Sequence, residues 1–276
     1  MSSGGVRRAG VLGHPIAHSK SPVLHRAAYA ELALPWTYDA LDVTVAELEG
    51  FLAGLDESWI GLSLTMPLKV AVLRYLDSLT SPAGELGVVN TVVFGESGAV
   101  GHNTDVAGIQ HALASAALAE RGEATILGGG ATARSALAAV AGLGLVRAVV
   151  VARRPEVRPG FESLAEALGI EATLVAWEEA GAHLGADLVI STVPASAADE
   201  LAQRVDPSSE SAARGVLLDV VYDPWPTGLV RRWRDCGGAV VPGWEMLLHQ
   251  AAGQVELMTG RSAPISAMRA ALLASL

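Results

Sequence analysis

Lys69 and Asp105 form the one obvious acid–base pair in this chain, set among small hydroxyl and amide residues. Of the 19 Lys and Arg residues in the 276-residue sequence, only Lys20 and Lys69 are lysine. Arginine keeps its proton at any working pH, whereas lysine releases one when its surroundings lower its pKa. A lysine retained in a chain that otherwise uses arginine marks a place where a removable proton is useful, although an Ala-, Gly- and Arg-rich composition would also leave two lysines at random. Lys69, in Ser63-Leu64-Thr65-Met66-Pro67-Leu68-Lys69, is the stronger candidate; Lys20 lies in His18-Ser19-Lys20-Ser21-Pro22. A carboxylate near Lys69 would orient it for general acid–base transfer.

Ser19, Ser21, Thr65, Asn90, Asn103 and Thr104 fall where strands are expected to end. Taken singly they are ordinary turn and cap residues, and Asp105 alone would cap a helix. Gathered together they suit a polar, polyhydroxylated substrate, because ligands of open α/β sheets bind beyond the carboxyl ends of the strands. No Cys, His or carboxylate pattern accompanies His14, His18 and His25, so no metal is expected. Cys236, the single cysteine, reads as a buried or turn thiol. No nucleophile elbow or Walker loop is present.

Short apolar runs supply the strand ends that such groups need. Strands are expected over 9–13, 36–43 and 59–64, with a hairpin of 88–94 against 99–101 turning at Glu96-Ser97-Gly98. Helices are expected over 21–32, with Ser21 as N-cap and Pro22 in the first turn, over 45–55 and over 68–76. A long helix over 105–119 leads to a second α/β run. There strands at 124–127, 148–152, 173–175, 188–190, 216–221 and 238–241 alternate with helices at 132–143 and 162–168. Two more helices, split at Thr259-Gly260, occupy 244–276. Apolar strands alternating with helices imply parallel β-structure with crossovers.

The strand Ile126-Leu127 runs into Gly128-Gly129-Gly130-Ala131-Thr132-Ala133 and then a helix, which fits the dinucleotide pattern G-x-G-x-x-A. Gly128 would make the tight turn, Gly130 would admit the pyrophosphate, and Ala133 would let helix and strand pack closely. The helix N-terminus would hold the phosphates. The next strand ends in Arg153-Arg154, without the carboxylate that an NAD ribose prefers. Two guanidiniums there suit a 2′-phosphate, so NADP is favoured over NAD, with either arginine as the main contact.

Composition narrows the partners. With 51% hydrophobic and 17% charged residues the chain can bury a sizeable core. A net charge of −10 opposes nucleic acid and anionic membranes. Met1 to Arg8 carries charge with no apolar run behind it, and no stretch reaches a membrane span, so a cytoplasmic protein is expected.

One series of motifs covers nearly the whole chain in order: Gly13-His14-Pro15-Ile16-Ala17-His18-Ser19-Lys20-Ser21-Pro22, Thr65-Met66-Pro67-Leu68-Lys69, Val89-Asn90-Thr91, Gly101-His102-Asn103-Thr104-Asp105, the glycine loop, Asp219 to Thr227, Gly243-Trp244-Glu245-Met246-Leu247 and His249-Gln250. The series resembles the shikimate dehydrogenase family. That resemblance implies an α/β protein of two domains: a substrate domain over 1–105, completed by helices of 244–276 that return to it, and a Rossmann-type parallel-sheet NADP domain over 106–243. It implies interconversion of 3-dehydroshikimate and shikimate with NADP(H), in aromatic amino-acid biosynthesis, by a monomer or homodimer. Lys69 and Asp105 occupy the family's proton-transfer positions. Ser19 and Ser21 match those that hold the substrate carboxylate, Thr65, Asn90 and Gln250 those that meet its other oxygens, and Tyr222 a further substrate-side position. Cofactor positions are Gly128, Gly129, Gly130, Ala131, Thr132, Arg153, Arg154, Val193 and Gly243.

The chain departs from the family pattern at several places. Ser63 stands where Asn is usual, Ala131 where a second Gly is, and Arg26 where Asn is common. Ala152-Arg153-Arg154 keeps an arginine but lacks the flanking Asn, and Ser191-Thr192-Val193-Pro194 replaces an Asn-Ala-Thr type segment. Within the family, Ser21 favours shikimate, whereas a Thr there goes with quinate. Other ring acids, quinate or an amino-substituted shikimate, are the enzymatic alternative. A catalytically silent NADP-binding regulator is the non-enzymatic one, and it would be marked by loss of Lys69 or Asp105.

Overall fold

The computed structural model describes residues 6–118, 122–205 and 215–276. The start of the Met1 to Arg8 segment and the last residue of the helix expected over 105–119 lie outside the described residues. The chain divides into two compact units, Met1–Gly108 with Leu248–Leu276, and Ile109–Leu247.

Six strands form the sheet of the first unit: β1 (Arg8–Gly13), β2 (Thr37–Asp42), β3 (Trp59–Leu64), β4 (Ser78–Leu79), β5 (Thr91–Gly95) and β6 (Gly98–His102), in the order β2-β1-β3-β5-β6-β4. β1 pairs in parallel with β2 and β3, while β5 runs antiparallel to β3 and β6. The reversal has a functional consequence. The first residue of β5 stands at the same end of the sheet as the last residues of β3 and β6, with Thr91 opposite both Ser63 and His102. Every residue of β3 is buried, as expected for a strand covered on both faces. Leu12, Leu62, Leu64, Leu68, Val72, Val89 and Val92 belong to one core cluster beneath it.

Helices α1 (Ser21–Glu31), α2 (Leu48–Ala53), α3 (Leu68–Ala71) and α4 (Ala83–Leu86) connect these strands. Ser21 is not the N-cap of α1 but its first helical residue, and Lys20 occupies the cap position without a side-chain cap bond. The N–H groups that a Ser21 cap would need, those of Val23 and Leu24, go instead to the Lys20 carbonyl at 3.1 and 3.3 Å; the Ser19 hydroxyl accepts the Ser21 N–H at 3.3 Å. The helix expected over 45–55 is shorter because Glu47 Oε2 accepts both the N–H (3.0 Å) and the hydroxyl (2.7 Å) of Thr44, which closes a turn first. The one expected over 68–76 is a turn of α-helix continued as 3-10 helix over Val72–Tyr75.

The helix expected over 105–119 stops at Ala112: α5 (Asp105–Ala112) gives way to turns and leads into the second unit. There β7 (Glu123–Leu127), β8 (Arg147–Ala152), β9 (Glu171–Ala176), β10 (Leu188–Ser191), β11 (Val216–Asp219) and β12 (Ala239–Pro242) lie in the order β12-β11-β10-β7-β8-β9, every pair parallel. This is the strand order of a dinucleotide-binding Rossmann sheet. The unit's helices are α6 (Ala131–Gly142), α7 (Arg158–Leu168), α8 (Ala195–Ala202) and α9 (Gly228–Asp235). The sequence reading missed α8 and α9 as well as the very short β4 and α4. In α9, Leu229, Val230 and Trp233 are fully buried while Arg231 and Arg234 are exposed, a stripe legible in its spacing. Cys236 follows α9, half-buried against the core of this unit. Helix α10 (Gly243–Thr259) begins in the second unit and ends in the first, where α11 (Ile265–Leu273) follows. Lys20 Nζ donates to the Ser275 carbonyl at 2.7 Å, so the second lysine ties the start of α1 to the residues after α11.

His25 sits in the core of the first unit, stacked on Tyr38 with ring centroids 3.8 Å apart. Its Nδ1 lies 3.0 Å from the Ser21 carbonyl, and its Nε2 is buried without a hydrogen-bond partner among the described residues. Burial lowers its pKa to about 4, partly offset by the Ser21 carbonyl. Between the ordinary value of about 6.5 and that depressed value, the unfolded chain binds a proton that the folded chain refuses. Stability from this residue is therefore complete above about pH 6.5 and is lost as pH falls toward 4, by about 3 kcal/mol in all. Denaturation midpoints measured from pH 7.5 to 4.5 should fall more steeply for the wild type than for His25→Leu; equal slopes would refute this.

Candidate active site

The polar cluster of the first unit collects at one end of its sheet. β3 delivers Ser63 and then Thr65, and the Thr65 N–H bonds the Leu12 carbonyl of β1 at 2.9 Å. Lys69 lies on α3 just beyond, and its carbonyl accepts the Val89 N–H at 2.9 Å. That bond fixes the backbone one residue before Asn90. Asn90 is itself held on both sides: its carbonyl takes the Leu64 N–H (2.8 Å) and its N–H reaches the His102 carbonyl (3.1 Å). Asn103 caps α5, its Oδ1 accepting the N–H groups of Asp105 (3.0 Å) and Val106 (3.3 Å). The cap of this helix is thus Asn103, which leaves the Asp105 carboxylate for other work.

Lys69 Nζ lies 2.6 Å from Asp105 Oδ2, with the side chains 12% and 4% exposed. Asp105 Oδ1 accepts the Asn90 Nδ2–H at 2.8 Å. The same amide donates to Thr104 Oγ1 at 2.9 Å and reaches toward Gln250 Oε1 on α10 at 3.5 Å. A charge pair this dry interacts far more strongly than one in water, and each carboxylate oxygen keeps a lone pair for a further donor. An ammonium has three N–H groups, and Asp105 takes one of Lys69's. The others remain to meet a reacting oxygen.

The structure brings Lys69, Asp105, Asn90, Thr104 and Gln250 into direct contact. Ser19 is half-buried and Ser21 buried at the start of α1, and the Ser21 side chain stands beside the Tyr38 phenol. Two participants escaped the sequence reading. Gln254 lies one helical turn after Gln250, a spacing that shares a face and could have marked it. Tyr38 gave no signal, because alternation along β2 says only that it is buried. His14 pairs with Asp42 at 2.6 Å on the surface, and among the described residues no three His, Cys, Asp or Glu side chains gather as metal ligands. A separate cavity of about 650 Å³, walled by Trp59, Tyr75 and Phe94, shares no residue with the Lys69 cluster.

In the second unit, Gly128 leaves β7 with φ +124°, a region natural to glycine, and a side chain there would strike Thr192 Oγ1. Gly129 and then Gly130 follow, and a Cβ on Gly130 would meet nothing within 4 Å. Ala131 and Thr132 open α6, whose N-terminus has no side-chain cap, and Ala133 is fully buried. Free N–H groups facing open space beside a glycine turn fit a pyrophosphate. Arg153 and Arg154 are exposed just past β8, and the Arg153 guanidinium lies 5.7 Å from the ring centre of the buried Trp177. Val193 is buried after β10. Gly243 starts α10, where a Cβ would come within 2.5 Å of the Asp219 carbonyl. Tyr222 is carried by the loop after β11, which is closed by the Thr227 hydroxyl donating to Asp219 Oδ2 at 2.7 Å. Burial pushes the Asp219 carboxyl above the usual range, and that hydroxyl partly offsets it.

The chain is similar to known proteins over nearly its whole length. Residues 11–92 match the family model for the shikimate dehydrogenase substrate binding domain, and 243–273 that for the shikimate 5'-dehydrogenase C-terminal domain. Residues 123–222 match the model described as NADP oxidoreductase, coenzyme F420-dependent. A protein of Methanothermobacter thermautotrophicus named shikimate dehydrogenase (NADP(+)) is 33% identical over 99% of this chain and 98% of its own length. The crystal structure of Mycobacterium tuberculosis shikimate dehydrogenase superposes with a TM-score of 0.87 at 42% identity, covering 97% of this chain and 99% of the other. Shikimate 5-dehydrogenase of Thermus thermophilus, solved in complex with NADP(H) and shikimate, gives 0.81 at 32% identity, covering 98% of this chain and 100% of the other. With the Lys69–Asp105 pair, the glycine turn and full-length similarity in agreement, the chain belongs to the shikimate dehydrogenase family.

Proposed function

We propose that the protein is an NADP-dependent oxidoreductase that interconverts 3-dehydroshikimate and shikimate, the first unit binding the ring acid and the second the dinucleotide. The observation that carries this reading is the buried 2.6 Å Lys69–Asp105 pair, in a full-length relative of NADP-dependent shikimate dehydrogenases. NADP(H), when bound, supplies or accepts the hydride. Lys69 gives a proton to the ketone oxygen as that oxygen gains negative charge, and takes it back in the reverse direction. Asp105 holds the ammonium in place and offers its remaining acceptor capacity to a ring hydroxyl. Asn90, with its amide oxygen facing away from Asp105, keeps the carboxylate from rotating. The hydroxyls of Ser19 and Ser21 hold the substrate carboxylate, Thr65 and Gln250 meet its other oxygens, and Tyr222 contributes from the substrate side. Gly128 to Thr132 take the pyrophosphate, and Val193 and Gly243 border the remainder of the cofactor. The near-complete burial of the pair keeps water from competing for the proton.

No described helix is long and apolar enough to cross a membrane. The acidic net charge of −10 opposes nucleic acid and anionic membranes and supports a cytoplasmic enzyme acting on a small molecule; the monomer or homodimer is the assembly that the family resemblance implies. The test is absorbance at 340 nm with purified protein, NADP⁺ or NAD⁺, and shikimate, quinate and an aminoshikimate. Rapid NADPH formation with shikimate is expected. A clear preference for quinate or the amino analogue would move the substrate assignment, and NADPH binding with no turnover of any ring acid would refute the enzymatic reading.

A further inference from the structure

Beyond the residues that would touch substrate, a file of buried hydrogen bonds runs from the far side of β2 to the Lys69–Asp105 pair. The Tyr38 hydroxyl donates to Ser63 Oγ at 2.6 Å, and Ser63 Oγ donates to Gln254 Oε1 at 2.8 Å. Gln254 Nε2 then donates to the Asn90 carbonyl at 3.2 Å and to Thr91 Oγ1 at 3.1 Å. Thr91 Oγ1 donates to Asn90 Oδ1 at 2.8 Å, where the Thr104 N–H also arrives at 2.8 Å. Finally Asn90 Nδ2 donates to Asp105 Oδ1. Tyr38, Ser63, Asn90, Thr91 and Gln254 are each no more than 3% exposed.

The donors and acceptors admit one direction. An ionised carboxylate only accepts and a backbone N–H only donates, so Asn90 must turn its NH₂ to Asp105 and its oxygen to Thr104. Thr91 must then spend its proton on that oxygen and receive one from Gln254. Gln254 can give it only with its own oxygen turned to Ser63. Reversing any amide would set donor against donor or acceptor against acceptor among buried side chains, which is costly. Ser63 is one of the positions where this chain departs from the family's usual Asn. Its short hydroxyl leaves the space in which Tyr38 and Gln254 are joined.

We propose that Gln254, locked by Tyr38 and Ser63, is a positioning residue for the reaction: it fixes the orientation of Asn90 and thereby the carboxylate that aims Lys69. This rests on the proposed reaction. It assigns Gln254 no contact with substrate; its effect passes through Asn90.

The test measures kcat and KM for shikimate and NADP⁺, with thermal melting alongside, in Gln254→Met, Ser63→Ala, Tyr38→Phe and Lys69→Ala. Gln254→Met should lower kcat roughly 10- to 100-fold, the scale on which misplaced catalytic groups act, with the KM for NADP⁺ unchanged. Ser63→Ala and Tyr38→Phe should lower kcat in the same direction, and Ser63→Thr, which restores the hydroxyl, should recover most of the loss. In an Asn90→Ala background Gln254→Met should have little further effect, because residues acting through one another are not additive. Wild-type kcat in Gln254→Met and Ser63→Ala beside an inactive Lys69→Ala would overturn the positioning role alone, as would full additivity with Asn90→Ala. Normal turnover by Lys69→Ala would overturn the reaction reading and this role with it. Should Gln254→Met fail to fold, Tyr38→Phe and Ser63→Ala decide by the same criteria.

Discussion

Lys69→Ala is expected to lower kcat by roughly 10²- to 10⁴-fold, the span that general acid–base catalysis contributes, with little change in the KM for shikimate. The reason is geometric as well as chemical. Lys69 is the cation paired with Asp105, at 2.6 Å, and both side chains are nearly buried. On the proposed roles, its removal takes away the proton source while the hydroxyls and amides of Ser19, Ser21, Thr65 and Gln250 remain to bind the ring acid. Removing one member of a buried pair also destabilises a protein, by about 3–5 kcal/mol. Melting must therefore show that the variant is folded at the assay temperature before the rate is interpreted. Lys69→Arg separates charge from proton transfer: arginine keeps the cation but does not release its proton, so it should restore stability without restoring kcat. Near-normal turnover in folded Lys69→Ala would dismiss Lys69 as the proton donor.

Arg153→Asp is expected to weaken NADP⁺ by roughly 10- to 150-fold while changing NAD⁺ far less. A hydrogen bond to a charged group is worth about 1.5–3 kcal/mol, and each 1.4 kcal/mol is tenfold in affinity. The sequence offers Arg153 and Arg154 equally. Arg153 is the one laid over Trp177, 5.7 Å from the ring centre, and such a stack holds a guanidinium edge-on for a phosphate at low entropic cost. Arg154→Asp should accordingly do less. Equal losses for NADP⁺ and NAD⁺ in Arg153→Asp, read by fluorescence titration, would count against any 2′-phosphate role.

Much of the fold was legible because apolar runs and turn residues are local signals. Strand β3 fell where its apolar run lies, and the β5–β6 hairpin turned where Glu96, Ser97 and Gly98 stand. The glycine loop marked the entry to α6, and Thr259-Gly260 separated the last two helices. Errors came where a side chain overrode the local pattern. Glu47 captured Thr44 and delayed α2, and the Lys20 carbonyl took the Val23 and Leu24 N–H groups, so that α1 starts at Ser21 rather than after it. Four-residue α4 and two-residue β4 are too short to leave a periodicity.

The same division holds at the candidate site. The sequence by itself determined which chemistry was available: one well-placed lysine, a carboxylate, an ordered set of hydroxyl and amide residues, and a glycine turn followed by arginines. Only the tertiary structure decided how they are joined. The reversal of β5 places Asn90 at the end of the sheet where β3 and β6 finish, and α10 returns Gln250 and Gln254 to residues about 160 positions earlier. Hydrogen bonds across such separations leave no trace in local spacing, because they depend on which strands become neighbours. Tyr38 is the clearest case: a pattern of alternation can say that it is buried, but its role follows from the Ser63 hydroxyl 2.6 Å away.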